Sequence, residues 1–309
     1  MKILIVGGNG FLGARVAQYL NYAGHNISVL LRAGKSPAFS QPGVTNVFVD
    51  FLNQEELSNA CNNFEVILYA AGISAKDSLS HPEKAFFING SVVNSMINAG
   101  IQNSIKKFIY ISTIHVYSET LVGRVDETTP MTNTHPYALS HALGEQFVRA
   151  ANRSSSMEAC VVRLSNSFGS PVHVSAKCWD LVVNNMCQQV VKTQMIDIKS
   201  TVNFTRDYVP MSYVCHAIEK LICAQKLSHI YNIGAGSTKT LLALAQIIQK
   251  RSKKILGLKP EINYTFVHTS TEKDILQFRS VESLNLVKYT QSDFENEIDD
   301  LLMFCRKNF

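Results

Sequence analysis

Three glycines spaced three apart, Gly7, Gly10 and Gly13, follow the apolar run of residues 2–6 and open a stretch with helical spacing at Phe11, Leu12, Val16 and Leu20. A strand that runs into a tight glycine turn lets backbone amides and the next helix N-terminus meet a pyrophosphate with no Cβ in the way. The spacing therefore predicts a dinucleotide site. At the end of the second strand such a site ordinarily holds an acid for the adenosine ribose hydroxyls; this chain has Arg32, followed by Lys35 and Ser36. Those residues suit a 2′-phosphate, which favours NADP and leaves NAD as the alternative; a solvated strand-end arginine is the plainer reading.

The elements that must position this turn can be read from periodicity. Apolar runs at 27–31, 44–49, 65–71, 107–112 and 158–164 alternate with helical patterns, among them helices near 82–100 and 136–153, and Gly24 is a helix C-cap. Such alternation predicts an α/β fold, a Rossmann doubly wound parallel sheet. Beyond Asn166 the pattern loosens, regains a strand at 229–233 and ends in helical pieces near 240–253 and 292–306. We expect residues 1–165 to form the dinucleotide-binding domain with 200–234 returning to it, and 166–199 with 235–309 to form a smaller C-terminal substrate lobe.

Composition narrows the function. The chain has 309 residues, 46% hydrophobic and 17% charged, with a net charge of +5. The basic residues are scattered apart from Lys250, Arg251, Lys253 and Lys254, which read as a solvated helix end, so no nucleic-acid partner is expected. No apolar run reaches eighteen residues and the chain starts directly on a strand; neither a membrane span nor a signal peptide is expected, and a cytoplasmic location follows. Seven cysteines without a CxxC pair read as reduced core thiols, and His81, His216 and His268 lack metal spacing, so no metal is expected.

YISTIHVYS at 110–118 and PYALSHALGE at 136–145 lead to a recognisable family, together with GGNGFLG at 7–13, Asp50-Phe51, YAAG at 69–72, RLSNSFG at 163–169 and RDYVP at 206–210. The chain resembles the extended short-chain dehydrogenase/reductases of the NAD-dependent epimerase/dehydratase family, which act on nucleotide sugars. The resemblance implies cofactor contacts at Phe11, Leu12, Asp50, Phe51, Ala70, Ala71 and Gly72, and maps the family's catalytic Ser/Thr and Tyr onto Thr113 and Tyr137. The chain departs from the family at His141, where the family has a lysine. Residues four apart share a helix face, and a lysine there helps to lower the tyrosine pKa from about 10. A histidine, ordinarily near 6.5, is largely neutral at pH 7 yet can still hydrogen-bond a ribose hydroxyl. A working variant of the triad, a slowed enzyme or one run at lower pH, and a non-catalytic binding protein are all compatible with it.

In the family's dehydratases an acidic pair follows the threonine; Ile114 and His115 stand there, which disfavours dehydration. His115 is a candidate proton-transfer residue, with a packing histidine as the alternative. The resemblance further places Asn166 and Arg206 beside the sugar nucleotide, with a cap and an ion pair to Asp207 as their structural alternatives. Arg279 matches a late phosphate contact loosely, and His173 and Trp179 either line the sugar pocket or pack. The function implied is an NADP-dependent oxidoreductase of a nucleotide-linked sugar, foremost a 4-keto-6-deoxy sugar reductase. The alternatives are an epimerase and a non-catalytic NADP-binding sensor or scaffold. A homodimer through the helices near 82–100 and 136–153 is also implied.

Overall fold

The computed structural model describes the chain except for residues 35–36, 38–39, 270–274 and 281–288. At its centre is a parallel sheet of β1 (Lys2–Val6), β2 (Asn26–Arg32), β3 (Val44–Val49), β4 (Val66–Tyr69), β5 (Lys107–Thr113) and the strands Glu158–Leu164 and Ile230–Ile233. In space the order is Ile230–Ile233, Glu158–Leu164, β5, β4, β1, β2, β3. Growth of the sheet thus reverses between β1 and β4. The loops leaving these two strands diverge, and a crevice opens at their carboxyl ends. β5 is buried at every position and β1 at all but Lys2, as strands covered on both faces require.

The helices are α1 (Phe11–Tyr22), α2 (Gln54–Ala60), α3 (Ala75–Ser80), α4 (Pro82–Phe86), α5 (Val92–Gln102), α6 (Pro136–Ser154), α7 (Val182–Thr193), α8 (Met211–Cys223), α9 (Leu241–Leu256) and α10 (Gln291–Asn308). Val16 and Leu20 of α1 join Val214 and Ile218 of α8 in one core on the sheet, and Val93 and Met96 of α5 join Val148 of α6 in another. A third core, from α7, α9 and α10, makes up the C-terminal lobe. Buried Glu297 of α10 ties that lobe to the sheet domain: its carboxylate pairs with Arg15 of α1 at 3.1 Å and accepts from the amides of Ser170 and Ser212.

Two differences from the sequence-based expectations have physical causes. The helix expected near 82–100 is interrupted by a π turn at Phe87–Ser91. Carbonyls of this turn are taken up by buried hydroxyls of the sheet: Tyr69 donates to Ile88 O at 2.5 Å and Tyr110 to Asn89 O at 2.9 Å. Single π turns inside helices commonly mark functional positions. The second difference is α7, a helix in the stretch beyond Asn166 where the sequence pattern loosens. It buries Val183, Met186, Cys187 and Val190, the i, i+3, i+4, i+7 pattern of a helix face. The polar pairs Asn184-Asn185 and Gln188-Gln189, with Val182 and Val191 beside the stripe, mask the pattern.

Candidate active site

A cleft of about 920 Å³ runs along the carboxyl ends of β1, β4 and β5 to the C-terminal lobe. Gly7, Gly10, Phe11 and Leu12 line one end of it, with Arg32 and Phe51. The glycines are there for contact reasons. Gly7 has φ +93°, and a Cβ on it would sit 2.6 Å from the amide of Ala71. A Cβ on Gly13 would sit 2.4 Å from the carbonyl of Gly7, so Gly13 acts behind the turn, by letting α1 close on β1. Gly10 caps α1 with no side-chain hydrogen bond, which leaves the first amides of the helix to a ligand. The cradle fits a dinucleotide pyrophosphate. Ala70, Ala71 and Gly72 form the opposite lip.

Not every expected cofactor residue reaches the cleft. Asp50 is exposed outside it: its amide donates to Glu56 and its carboxylate accepts from the amide of Leu52. Lys35 and Ser36 lie outside the described residues.

Thr113 ends β5 with its Oγ1 accepting from the amide of His115 at 3.2 Å, and its hydroxyl hydrogen-bonds Tyr137. Tyr137 enters from the first turn of α6, held by Pro136 and by the His135 ring, which accepts from the Tyr137 amide at 3.2 Å. One turn on, the His141 ring packs edge-on against Tyr137 with centroids 4.7 Å apart. All three line the cleft, as do His115 and Asn166.

Helix and strand meet here with matching repeats. Four residues of α-helix rise about 6 Å and two residues of strand about 6.6 Å, so His141 and Glu145 on α6 face Tyr110 and Ser112 on β5. His141 Nδ1 lies 3.0 Å from Tyr110 Oη, and Ser112 Oγ donates to Glu145 at 2.6 Å. Arg163 closes this floor with a 2.6 Å ion pair to Glu145, both groups buried. Gly144 permits the approach, since a Cβ there would sit 2.3 Å from Asn89 O and 2.6 Å from Tyr110 Oη. Sequence reasoning missed Tyr110, Asn89, Glu145 and Arg163. Only the period-2 placement of Tyr110 and Ser112 in the otherwise apolar run 108–112 hints at them.

The electrostatics are those of a dry wall without a cation. Burial, with a smaller push from His115, drives His141 down to about 3, so the ring is neutral. Burial raises Tyr137, opposed in part by its hydrogen bond with Thr113. Burial and then the nearby Arg206 lower His115, while Asn166 pulls it the other way. The depressed His141 value has a consequence for stability. The unfolded imidazole takes a proton near pH 6.5 and the folded one only near pH 3, so stability is lost as pH falls below 6.5. Between pH 8 and pH 5 His141 alone should cost about 2 kcal/mol. Urea unfolding of wild type and His141→Gln at both pH values checks this, and equal losses in the two would contradict it.

On the substrate side, Asn166 donates to the carbonyl of Asp207 at 2.9 Å, and Arg206 lays its guanidinium 4.4 Å from the centre of the Phe204 ring. Arg206 lines the cleft and has no carboxylate partner among the described residues; the alternative of an ion pair with Asp207 is not what the structure has. Asp207 instead accepts from the amide of Ala235. Arg279 is exposed outside the cleft, with its backbone bonded to Val125 and Asn232. Trp179 packs against Phe304 and Phe309, and half-buried His173 bonds Ser175. Neither lines the cleft.

A model of the NAD dependent epimerase/dehydratase family matches residues 3–234, from β1 through the last strand of the sheet. A putative UDP-glucose 4-epimerase of Methanocaldococcus jannaschii is 27% identical over 268 residues, 85% of each chain. A dTDP-glucose 4,6-dehydratase of Streptomyces niveus is 24% identical over 271 residues, 81% of this chain and 77% of that one. Among solved structures, Thermus thermophilus UDP-glucose 4-epimerase in complex with NAD shares the fold with a TM-score of 0.79 at 23% identity, over 100% of both chains. The glycine cradle, the threonine at the end of β5 and the tyrosine at the head of α6 all fall inside the matched span, and the chain belongs to the NAD dependent epimerase/dehydratase family of nucleotide-sugar enzymes.

Proposed function

We propose that the chain is an NADPH-dependent reductase of a nucleotide-linked keto sugar, in particular a 4-keto-6-deoxy sugar. The observation that carries this reading is the meeting of Thr113 and Tyr137 on the wall of the dinucleotide cleft, with buried Ile114 and the His115 imidazole where a dehydratase would place an acidic pair. When bound, the cofactor supplies the hydride. The Tyr137 hydroxyl gives its proton to the sugar oxygen, and the Thr113 hydroxyl beside it hydrogen-bonds the same oxygen. Arg206, without a carboxylate partner among the described residues, holds the diphosphate, and Asn166 meets the sugar beside it. No helix among the described residues is long and apolar enough to cross a membrane. The reading carries a homodimer through α5 and α6, which exposed Leu139 on α6 supports.

The test is a stoichiometric one. With a dTDP- or UDP-linked 4-keto-6-deoxy sugar, one NADPH should be oxidised per sugar reduced. The second reading, an epimerase, rests on His115 in the cleft, where an imidazole can move a proton next to the carbonyl. It would give an inverted sugar with no net cofactor consumed, and binding without turnover would leave only a sensor or scaffold. The NADPH preference rests on Arg32, which lines the cleft at the end of β2 where an acid would favour NAD. Arg32→Ala should weaken NADPH binding by about tenfold or more, the loss expected for a hydrogen bond to a charged group, and leave NADH unchanged. Titration of both cofactors by nicotinamide fluorescence checks it; equal losses would remove the 2′-phosphate contact.

A further inference from the structure

The hydroxyl of Tyr110 stands between two groups that compete for its single proton. Asn89 O lies 2.9 Å away and His141 Nδ1 3.0 Å away. A carbonyl can only accept, and two oxygens 2.9 Å apart need a proton between them, so the hydroxyl donates to Asn89. The contact to His141 then requires its proton on Nδ1, donated to Tyr110 Oη. That leaves Nε2 as a bare lone pair without a partner among the described residues, in a ring that lines the cleft. Nearby, the fully buried Asn89 Oδ1 has no hydrogen-bond partner among the described residues, and it and Nε2 lie 3.5 and 4.0 Å from where a Cβ of Gly72 would sit. The Asn89 amide nitrogen is already spent on Ser140 Oγ.

We propose that Tyr110 is a positioning residue that locks His141 as the Nδ1–H tautomer, so that the wall where the family carries a lysine cation presents a neutral acceptor, Nε2. Ligand hydroxyls meeting this wall donate to it. Its neutrality is preserved from every side. The titratable groups facing the ring are Tyr110 from β5, Tyr137 from α6 and His115 from the turn after β5. Glu145, one turn further along α6, is consumed by Ser112 and Arg163. Asp77 of α3 and Lys84 of α4 line the same cleft, and neither bonds to the ring. Tyr137 therefore has no cation beside it to favour a phenolate. It is built to give a proton, which sets the enzyme to work in the direction of carbonyl reduction, with alcohol oxidation confined to alkaline pH. This directional part rests on the reductase reading; the tautomer does not.

The experiment is long-range proton–nitrogen correlation NMR on the full chain labelled with ¹⁵N-histidine, with His141→Gln assigning the signal. Between pH 5 and 8, Nδ1 should resonate in the protonated range and Nε2 in the lone-pair range, with no titration. In Tyr110→Phe, which removes one oxygen and keeps the ring, the two signals should move towards each other as the tautomers mix. An Nε2–H tautomer or a cationic ring in the wild type overturns the proposal, as does an unchanged spectrum in the variant. The wild-type spectrum decides the tautomer even if the variant does not fold. For the direction, His141→Lys should move the alkaline rise of the alcohol-oxidation rate down by about one to three pH units. An unmoved rise overturns the directional part alone, and absence of any activity with correct NMR signals points to failure of the reductase reading instead.

Discussion

Tyr137→Phe should lower the turnover of keto-sugar reduction by about 10²–10⁴-fold, the range for loss of a positioned general acid, with NADPH affinity nearly unchanged. The substitution removes one oxygen and little else. The edge-on packing against His141, the cap from His135 and the start of α6 at Pro136 all involve parts of the residue that phenylalanine keeps. Thr113 stays to bond the substrate oxygen but has no acid behind it. The pH dependence should carry the same signature. Burial raises Tyr137, so the phenol is protonated across neutral pH and the wild-type reduction rate should stay flat there. It should fall only on the alkaline side, as the proton is lost. Pre-steady-state NADPH oxidation across pH checks both parts, and a variant retaining most of the wild-type rate would show that Tyr137 is not the proton donor.

The second large effect concerns stability. Glu145→Ala should cost about 3–5 kcal/mol, because it leaves the Arg163 guanidinium buried without its carboxylate. Arg163 is 2% exposed and Glu145 fully buried, and Arg163 Nη1 already has no hydrogen-bond partner among the described residues. The same change strips Ser112 Oγ of its acceptor. The loss is far above the zero to one kcal/mol typical of exposed ion pairs. Urea unfolding measures it, and a change under about 1 kcal/mol would mean that water reaches the floor of the site. Glu145 also anchors α6 on β5 one turn from His141, so a folded variant should bind NADPH less tightly as well.

The parts of this site that are legible in the sequence are the local ones. The glycine turn reads from spacing because its chemistry is contained in one strand, one turn and one helix. Thr113, Tyr137 and His141 come from the motifs that resemble the family, and the helical repeat adds that Tyr137 and His141 share one face. Tyr110, Asn89 and the Glu145–Arg163 pair do not read, because their roles exist only once α6 lies across β5 and the π turn delivers its carbonyls to the sheet. Those contacts join residues that are 18 to 31 positions apart or come from separate elements. Arg279 illustrates the opposite failure: a loose match in type, in a segment whose fold leads its side chain elsewhere. The α7 helix was readable in principle from its buried positions, but the polar pairs between them and the valines beside them hid the stripe.

The neutral wall around His141 also divides the cleft by its response to salt. Arg32 and Arg206 border the same cleft, and both meet anionic groups in the proposed reading. Their pull on a phosphate reaches over roughly a Debye length, about 10 Å at 0.1 M salt, and shrinks as ions are added. A lone pair on a dry imidazole has no such reach and little to screen. Ionic strength should therefore govern how fast cofactor and substrate arrive, and leave almost untouched how the hydroxyls are held once they are inside. A lysine at position 141 would have tied those two properties together.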